Sequence, residues 1–281
     1  MNIPEEKEEW ENKMLLPRVI TAIIGLPVVI SAIYFGGLSY FSFIFIIVMF
    51  SLYEYFVIMK LALKPVEKFT FFVFGALIPI AIYLNGSNFD LPLYNFLPFV
   101  ISLIPISAIT YELFAREKYI ERIAYTIFGL FFISWNLSHL ILIRDLRPDG
   151  RIFTFMIFVT VWVMDTAAYF VGKKMGKNKL SPISPKKTVE GFFAGFFSAI
   201  VMIFLFREFI NSFSILDALI AGIIIGIYGQ LSDLAESLVK RVAGVKDSSN
   251  ILPGHGGILD RFDSYIFIAP ILYYYIAFTR L

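Results

Sequence analysis

The sequence contains no cysteine. Disulfides, zinc–thiolate sites and thiol nucleophiles are thereby excluded, and the redox compartment is left open. Only two histidines occur, His139 and His255, so a metal site in this chain has to rest on oxygen ligands. Charged residues make up 16% of the 281 positions, against about 25% in soluble globular proteins. The opening "MNIPEEKEEWENK" lacks the basic start of a cleavable signal. It reads as a solvated or interfacial extension, with Met14 as an alternative start. No internal repeat is visible, which argues against a transporter built from inverted halves.

What the chain has in excess is apolar surface. Hydrophobic residues make up 58% of it, and the mean hydropathy is +0.77. A membrane span needs about 20 mainly apolar residues. Nine runs qualify: 18–35, 39–60, 69–85, 92–111, 120–143, 152–172, 190–206, 215–239 and 259–279. Runs of this length predict helices, not barrel strands. The expected fold is an all-α polytopic integral membrane protein with about nine transmembrane helices. Residues 1–16 form an N-terminal cytoplasmic extension or interfacial helix, 17–113 the N-terminal transmembrane helices, and 114–281 a catalytic transmembrane region.

If nine spans alternate, nineteen of the twenty-four Lys and Arg residues fall on the side of the N-terminus. The other five are Arg144, Arg147, Arg151, Arg207 and Arg280. The positive-inside rule then puts the N-terminus in the cytoplasm and the C-terminus outside. Two basic, turn-rich loops become cytoplasmic: 173–189, "KKMGKNKLSPISPKKTV", and 240–258, "KRVAGVKDSSNILPGHGGI".

Charge within or beside an apolar span is costly and points to a task. Asp165 lies in span 152–172, Asp233 and Glu236 lie in span 215–239, and Asp260 and Asp263 open the last span. At about 1.5 Å per residue, Asp165 and Asp233 sit on the order of 10 Å inside their cytoplasmic ends. Acids from three helices can thus share one depth, and Asp260 and Asp263, three apart, share a helix face. Gly222, Gly226, Gly229, Asp233, Ser237 and Lys240 recur at helical spacing. A stripe of small residues admits a neighbouring helix, so Asp233 is expected to face protein.

Two uses of these acids compete. They can form structural ion pairs with Lys240, Arg241 or Arg261. They can also hold a hard cation such as Mg²⁺, around which basic loops would suit a polyphosphate. Lys186 and Lys187 in "SPISPKKT" are candidate phosphate ligands; the plainer reading makes them ordinary positive-inside lysines. "PGHGG" at 253–257, just before a helix start, offers backbone N–H groups to a phosphate. His255 within it suits a phosphate oxygen or a base, or is a plain turn histidine. "GKKMGKN" at 172–178 fails as a P-loop, with one residue too few between the glycines and no Ser or Thr after the lysine. His139, Asn136 and Glu54 read as hydrogen-bonded groups that glue helices.

The stretch "SLVKRVAGVKDSSNILPGHGGILDRFDS", 237–264, resembles the signature of the phosphatidate cytidylyltransferases (CDP-diglyceride synthases). Ser237, Lys240, Arg241, Lys246, Asp247, Ser249, Pro253, His255, Gly256, Gly257, Asp260, Arg261 and Asp263 occupy its defining positions. The stretch 165–191 is also similar to the bacterial members. The resemblance implies the reaction of CTP with phosphatidate to give CDP-diacylglycerol and diphosphate, with Mg²⁺ and room for a second cation. It implies a multi-pass enzyme of the plasma (inner) membrane with its site toward the cytoplasm, no nucleic-acid partner, and a homodimer.

On that reading Asp233 and Asp260 ligate the metal, and Asp263 and Asp165 are ligands or their supports. Lys186, Lys187, Lys240, Arg241, Lys246 and Arg261 meet phosphates, and His255, Gly256 and Gly257 close over them. Two other readings are weighed against it. A CTP-dependent lipid kinase would need a base and would release free CDP. A transporter would place its acids at the midplane rather than at one face. The D-G-x-x-A-R pattern of CDP-alcohol phosphotransferases is absent.

Overall fold

The computed structural model describes residues 21, 23–85, 96–210, 213–249, 251 and 256–280. Among these the extended regular elements are all helices, joined by turns and loops, and Lys179 and Thr188 form an isolated bridge. We number the helices α1 (Ile23–Phe35), α2 (Gly37–Leu61), α3 (Lys68–Asn85), α4 (Phe96–Phe114), α5 (Ile120–Asp145), α6 (Gly150–Met175), α7 (Val189–Arg207), α8 (Ile215–Val242) and α9 (Leu259–Thr279). Among the described residues, helices α2 to α9 are the eight that are long and apolar enough to cross a membrane. The shorter α1 is the described part of the expected span 18–35; the extension 1–16 lies outside the described residues.

Two helices depart from regular geometry. In α5 the segment Leu130–Trp135 is a π-helical turn. Within it, the Ser134 hydroxyl donates to the Gly75 carbonyl of α3 at 2.8 Å. Helix α9, expected as one continuous span, is broken after Leu259–Phe262 and resumes at Tyr265. Ser232 of α8 fills the break. Its hydroxyl donates to the Asp263 carbonyl at 2.5 Å and accepts from the Phe267 N–H at 3.2 Å. The backbone groups freed by the break are thus satisfied inside the protein, as an apolar surrounding demands.

Helices α6, α7 and α8 pack consecutively, and α9 lies against α8 and the second half of α5. Apolar side chains gain little by leaving lipid for one another, so close backbone approach has to supply the cohesion. Glycines provide it. A Cβ added at Gly191 would stand 2.7 Å from the Ala168 carbonyl oxygen, and one at Gly195 3.2 Å from Met164. On α8, a Cβ at Gly222 would lie 2.9 Å from Ile200 Cα, and one at Gly226 2.9 Å from the Phe196 ring. Both glycine stripes are therefore consumed within the chain, which leaves neither free to join two copies.

Caps fix the helix starts. Ser214 and Asp217 form a reciprocal capping box at the start of α8. Asp217 also accepts the Tyr275 hydroxyl at 2.7 Å, tying the far end of α9 to that start. Replacing Gly226 by Leu should force α7 and α8 apart. Overpacking of this kind costs about 1–3 kcal/mol, so the purified variant should melt several degrees below the parent in the same detergent.

Candidate active site

The ends of α6, α7, α8 and α9 enclose a cavity of about 820 Å³. Asp165 and Lys173 of α6 line it, with Lys186 and Lys187, Gln230, Asp233 and Lys240 of α8, Asp247, and Asp260, Arg261 and Asp263 of α9. The break in α9 matters here, because it turns Asp263 toward α8. Carboxylate oxygens of Asp233, Glu236 and Asp263 all lie within 4.8 Å of one another. Asp233 and Glu236 are one helical turn apart, so a single face of α8 presents both.

Cations stand against this cluster. Lys187 Nζ lies 2.5 Å from Asp233 Oδ2. Lys240 Nζ lies 2.6 Å from both Glu236 Oε2 and Asp260 Oδ1. Glu236 is fully buried and Lys240 is 8% exposed, so water does little to screen them. Deleting one member of such a buried pair costs about 3–5 kcal/mol, because its partner is left charged and alone.

The segment 176–189 folds back to deliver Lys187. Leu180 N–H donates to the Lys187 carbonyl at 2.9 Å, and Val189 N–H to the Asn178 carbonyl at 2.9 Å. Glu190 of α7 accepts from the N–H groups of Lys177 and Asn178 and from the Asn178 side chain. Thr188 caps α7 by accepting the Gly191 N–H at 3.1 Å. The two lysines therefore stand on a braced turn, not on a free loop.

Several expected site residues do something other than expected. Asp260 stands apart from the carboxylate cluster. Its Oδ1 meets Lys240, and its Oδ2 accepts from the Ser248 N–H (3.0 Å), the Ser248 hydroxyl (3.0 Å) and the Gly257 N–H (2.8 Å). Both oxygens are thus committed, and Glu236 completes the trio in its place. The Gly257 N–H is spent on Asp260 and is not left to cup a phosphate. Gly256 has φ +84°, a conformation open to glycine, and a Cβ there would press on Asp260 at 2.9 Å.

Arg241 donates to the carbonyls of Ile183 and Val245, each at 3.1 Å, and so staples the two basic loops together. Lys246 is exposed and does not line the cavity. Asp165 lines the cavity beside the trio. His255 and Pro253 lie outside the described residues.

Glu54 is the residue that sequence reading undervalued. Its side chain is fully buried in α2. Oε1 accepts from the Ser249 hydroxyl (2.5 Å) and the Ile258 N–H (2.9 Å). Oε2 accepts from the Ser248 hydroxyl (2.8 Å) and the Leu259 N–H (2.7 Å). One carboxylate thus fastens both ends of the 248–259 segment to the N-terminal helices. The Ser248 hydroxyl lies between Glu54 and Asp260 and links anchor to site. A usable signal was present: a lone carboxylate in an apolar run needs donors, and "DSSN" at 247–250 supplies hydroxyls.

The model of the Cytidylyltransferase family matches residues 16–279. A phosphatidate cytidylyltransferase of Bacillus subtilis (strain 168) is 41% identical over 172 residues, covering 60% of this chain and 64% of that protein. One of Staphylococcus haemolyticus is 35% identical over 260 residues, covering 91% of this chain and 96% of the relative. One of Synechocystis is 32% identical over 289 residues, with 92% and 95% covered.

Glu54→Ala should leave three donors, the Ser249 hydroxyl and the Ile258 and Leu259 N–H groups, without their acceptor, while the Ser248 hydroxyl keeps Asp260, at a cost of about 2–4 kcal/mol. Glu54→Gln, which keeps one acceptor oxygen, should lie between the two. Trypsin cleavage after Lys246 should speed up in the same order, Ala above Gln above parent.

Proposed function

Because this chain belongs to the cytidylyltransferase family, we propose that it transfers the cytidylyl group of CTP to phosphatidate, giving CDP-diacylglycerol and diphosphate. A phosphate oxygen of phosphatidate attacks the α-phosphorus of CTP. The bond from that phosphorus to the oxygen bridging to the β-phosphate breaks, and diphosphate leaves with the electron pair. The attacking group is already an anion, so no residue has to serve as a general base. The site has to hold two anions in line and to neutralise the leaving charge.

One observation carries this reading: a carboxylate cluster and a set of cations, Lys186, Lys187 and Arg261, meet at one cavity. A lipid substrate accounts for a site at the ends of apolar helices. A soluble triphosphate accounts for the braced basic turn above it. Lys186, Lys187 and Arg261 bind and orient the phosphates. Lys240, held by Glu236 and Asp260, keeps a positive charge at the floor of the site. Asp260 acts through that lysine and through the turn at Gly257.

The carboxylate cluster fits a hard divalent cation. It offers oxygen donors only, and Glu236 Oε1 is buried with no hydrogen-bond partner among the described residues. Asp233, Glu236 and Asp263 would hold Mg²⁺, and Asp165 is the carboxylate left to serve a second cation. The ion, when bound, offsets the charge that builds on the phosphates. The cavity opens to the cytoplasm at the plasma (inner) membrane in this reading, in line with the weight of Lys and Arg on that side. A homodimer is part of the proposal through the family resemblance, on surfaces other than the two glycine stripes.

The test is to incubate the purified protein with α-³²P-labelled CTP, phosphatidate and Mg²⁺, and to follow label into the chloroform phase. Label should enter that phase only when both phosphatidate and Mg²⁺ are present. Asp233→Asn and Glu236→Gln should each lower the initial rate by about a hundredfold or more; Asp233→Asn should melt within a few degrees of the parent, whereas Glu236→Gln, which removes a buried partner of Lys240, should melt lower. Label released as free CDP, or full activity in both variants, would overturn the assignment.

A further inference from the structure

A second cavity, of about 550 Å³, lies where the C-terminal end of α2 meets the start of α5. Lys60, Leu63 and Lys64 line one side, and Tyr119, Glu121 and Tyr125 the other. It shares no lining residue with the catalytic cavity.

The end of α2 is built in a particular way. Leu63 N–H donates to the Lys60 carbonyl at 3.1 Å, and Lys64 N–H to the Met59 carbonyl at 2.9 Å. This pair of bonds is the closure that glycine usually completes, since the residue after the cap has to adopt a left-handed conformation. Here that residue is Leu63, at φ +55°, a conformation unfavourable for any residue with a Cβ. The turn throws the leucine outward, 91% exposed. Leu61, at 61%, and Ile120, at 76%, continue the apolar surface on either side.

The polar half of the cavity is equally specific. Lys64 Nζ stands 5.8 Å from the centre of the Tyr125 ring. Tyr119 is held by its N–H to Glu112 Oε2 at 3.0 Å, and its ring lies 5.3 Å from the Arg122 guanidinium. Glu121 is the one carboxylate among the lining residues, against two lysines. Among the described residues neither lysine has a carboxylate within ion-pair distance. The pocket is positive, and its polar floor gives way to a bare leucine at the level of the helix ends. Lysine and tyrosine at that level are the side chains that suit a headgroup region.

We propose that this pocket binds the headgroup of an anionic phospholipid. Lys60 and Lys64 meet the phosphate, the rings of Tyr119 and Tyr125 flank the glycerol, and Leu63 contacts the acyl chains. A free phosphate would satisfy the lysines but would leave the strained, exposed leucine without a use. The site is independent of the reaction assigned above.

The test is an equilibrium titration of the purified full chain in zwitterionic detergent with dioctanoyl phosphatidylglycerol. Dioctanoyl phosphatidylcholine and inorganic phosphate serve as the other two probes. Lys60→Ala/Lys64→Ala should weaken phosphatidylglycerol binding at least about tenfold. Leu63→Gly relaxes the backbone at that turn, so the fold is retained; it should weaken binding about threefold by removing the acyl contact. The neutral phosphatidylcholine should bind at least about tenfold more weakly than phosphatidylglycerol, and phosphate should not compete. Unchanged affinity in the double variant, or in Leu63→Gly, would overturn the lipid assignment. Competition by millimolar inorganic phosphate would replace it with a free-phosphate site.

Discussion

The Glu54 carboxylate is the point on which the site hangs. It is fully buried, and it accepts four hydrogen bonds from a segment some two hundred residues away in the chain. A buried carboxylate with fewer donors would be a heavy liability. With four, it becomes a clamp that draws the 248–259 segment against α2. Asp260 stands at the end of that segment and shares the Ser248 hydroxyl with Glu54. Lys240 then finds Asp260 on one side and Glu236 on the other. The floor of this cavity is thus set by a chain of charge-assisted bonds that begins outside it.

Two kinds of acid result, told apart by their partners. Asp260 has both oxygens committed, one to a lysine and one to three donors. Asp233, Glu236 and Asp263 crowd together, and Lys187 and Lys240 stand against them. Like charges at such separations repel strongly where water is scarce. The basic turn around Lys186 and Lys187 borders the same cavity.

The glycines of α7 and α8 serve the same end at longer range. In lipid, cohesion between helices comes from contact rather than from escape from water. Gly191, Gly195, Gly222 and Gly226 let three helices approach until backbone meets side chain. That rigidity holds Asp165, Asp233 and the Lys187 turn in one frame. Ser232 adds the last element, since its place in the break of α9 aims Asp263 at α8.

The run of apolar segments, their helical nature, the acidic positions and the basic loops were all legible in the sequence. They follow from local rules: span length, periodicity and the cost of charge in an apolar stretch. The stripe that turned Asp233 toward protein was legible for the same reason. What the residues meet was not. Asp260 and Glu236 look interchangeable along the chain, and only the arrival of Lys240, Ser248 and Gly257 from separate segments commits one and spares the other. Arg241 reads as a phosphate ligand, and only the structure shows that it also bonds the Ile183 carbonyl. Glu54 reads as a solitary buried acid until Ser248, Ser249 and the backbone at 258–259 close on it. Sequence determined which groups are expensive to bury; tertiary structure decided which of them are neutralised within the chain, because a hydrogen bond depends on distances that span length and spacing do not contain.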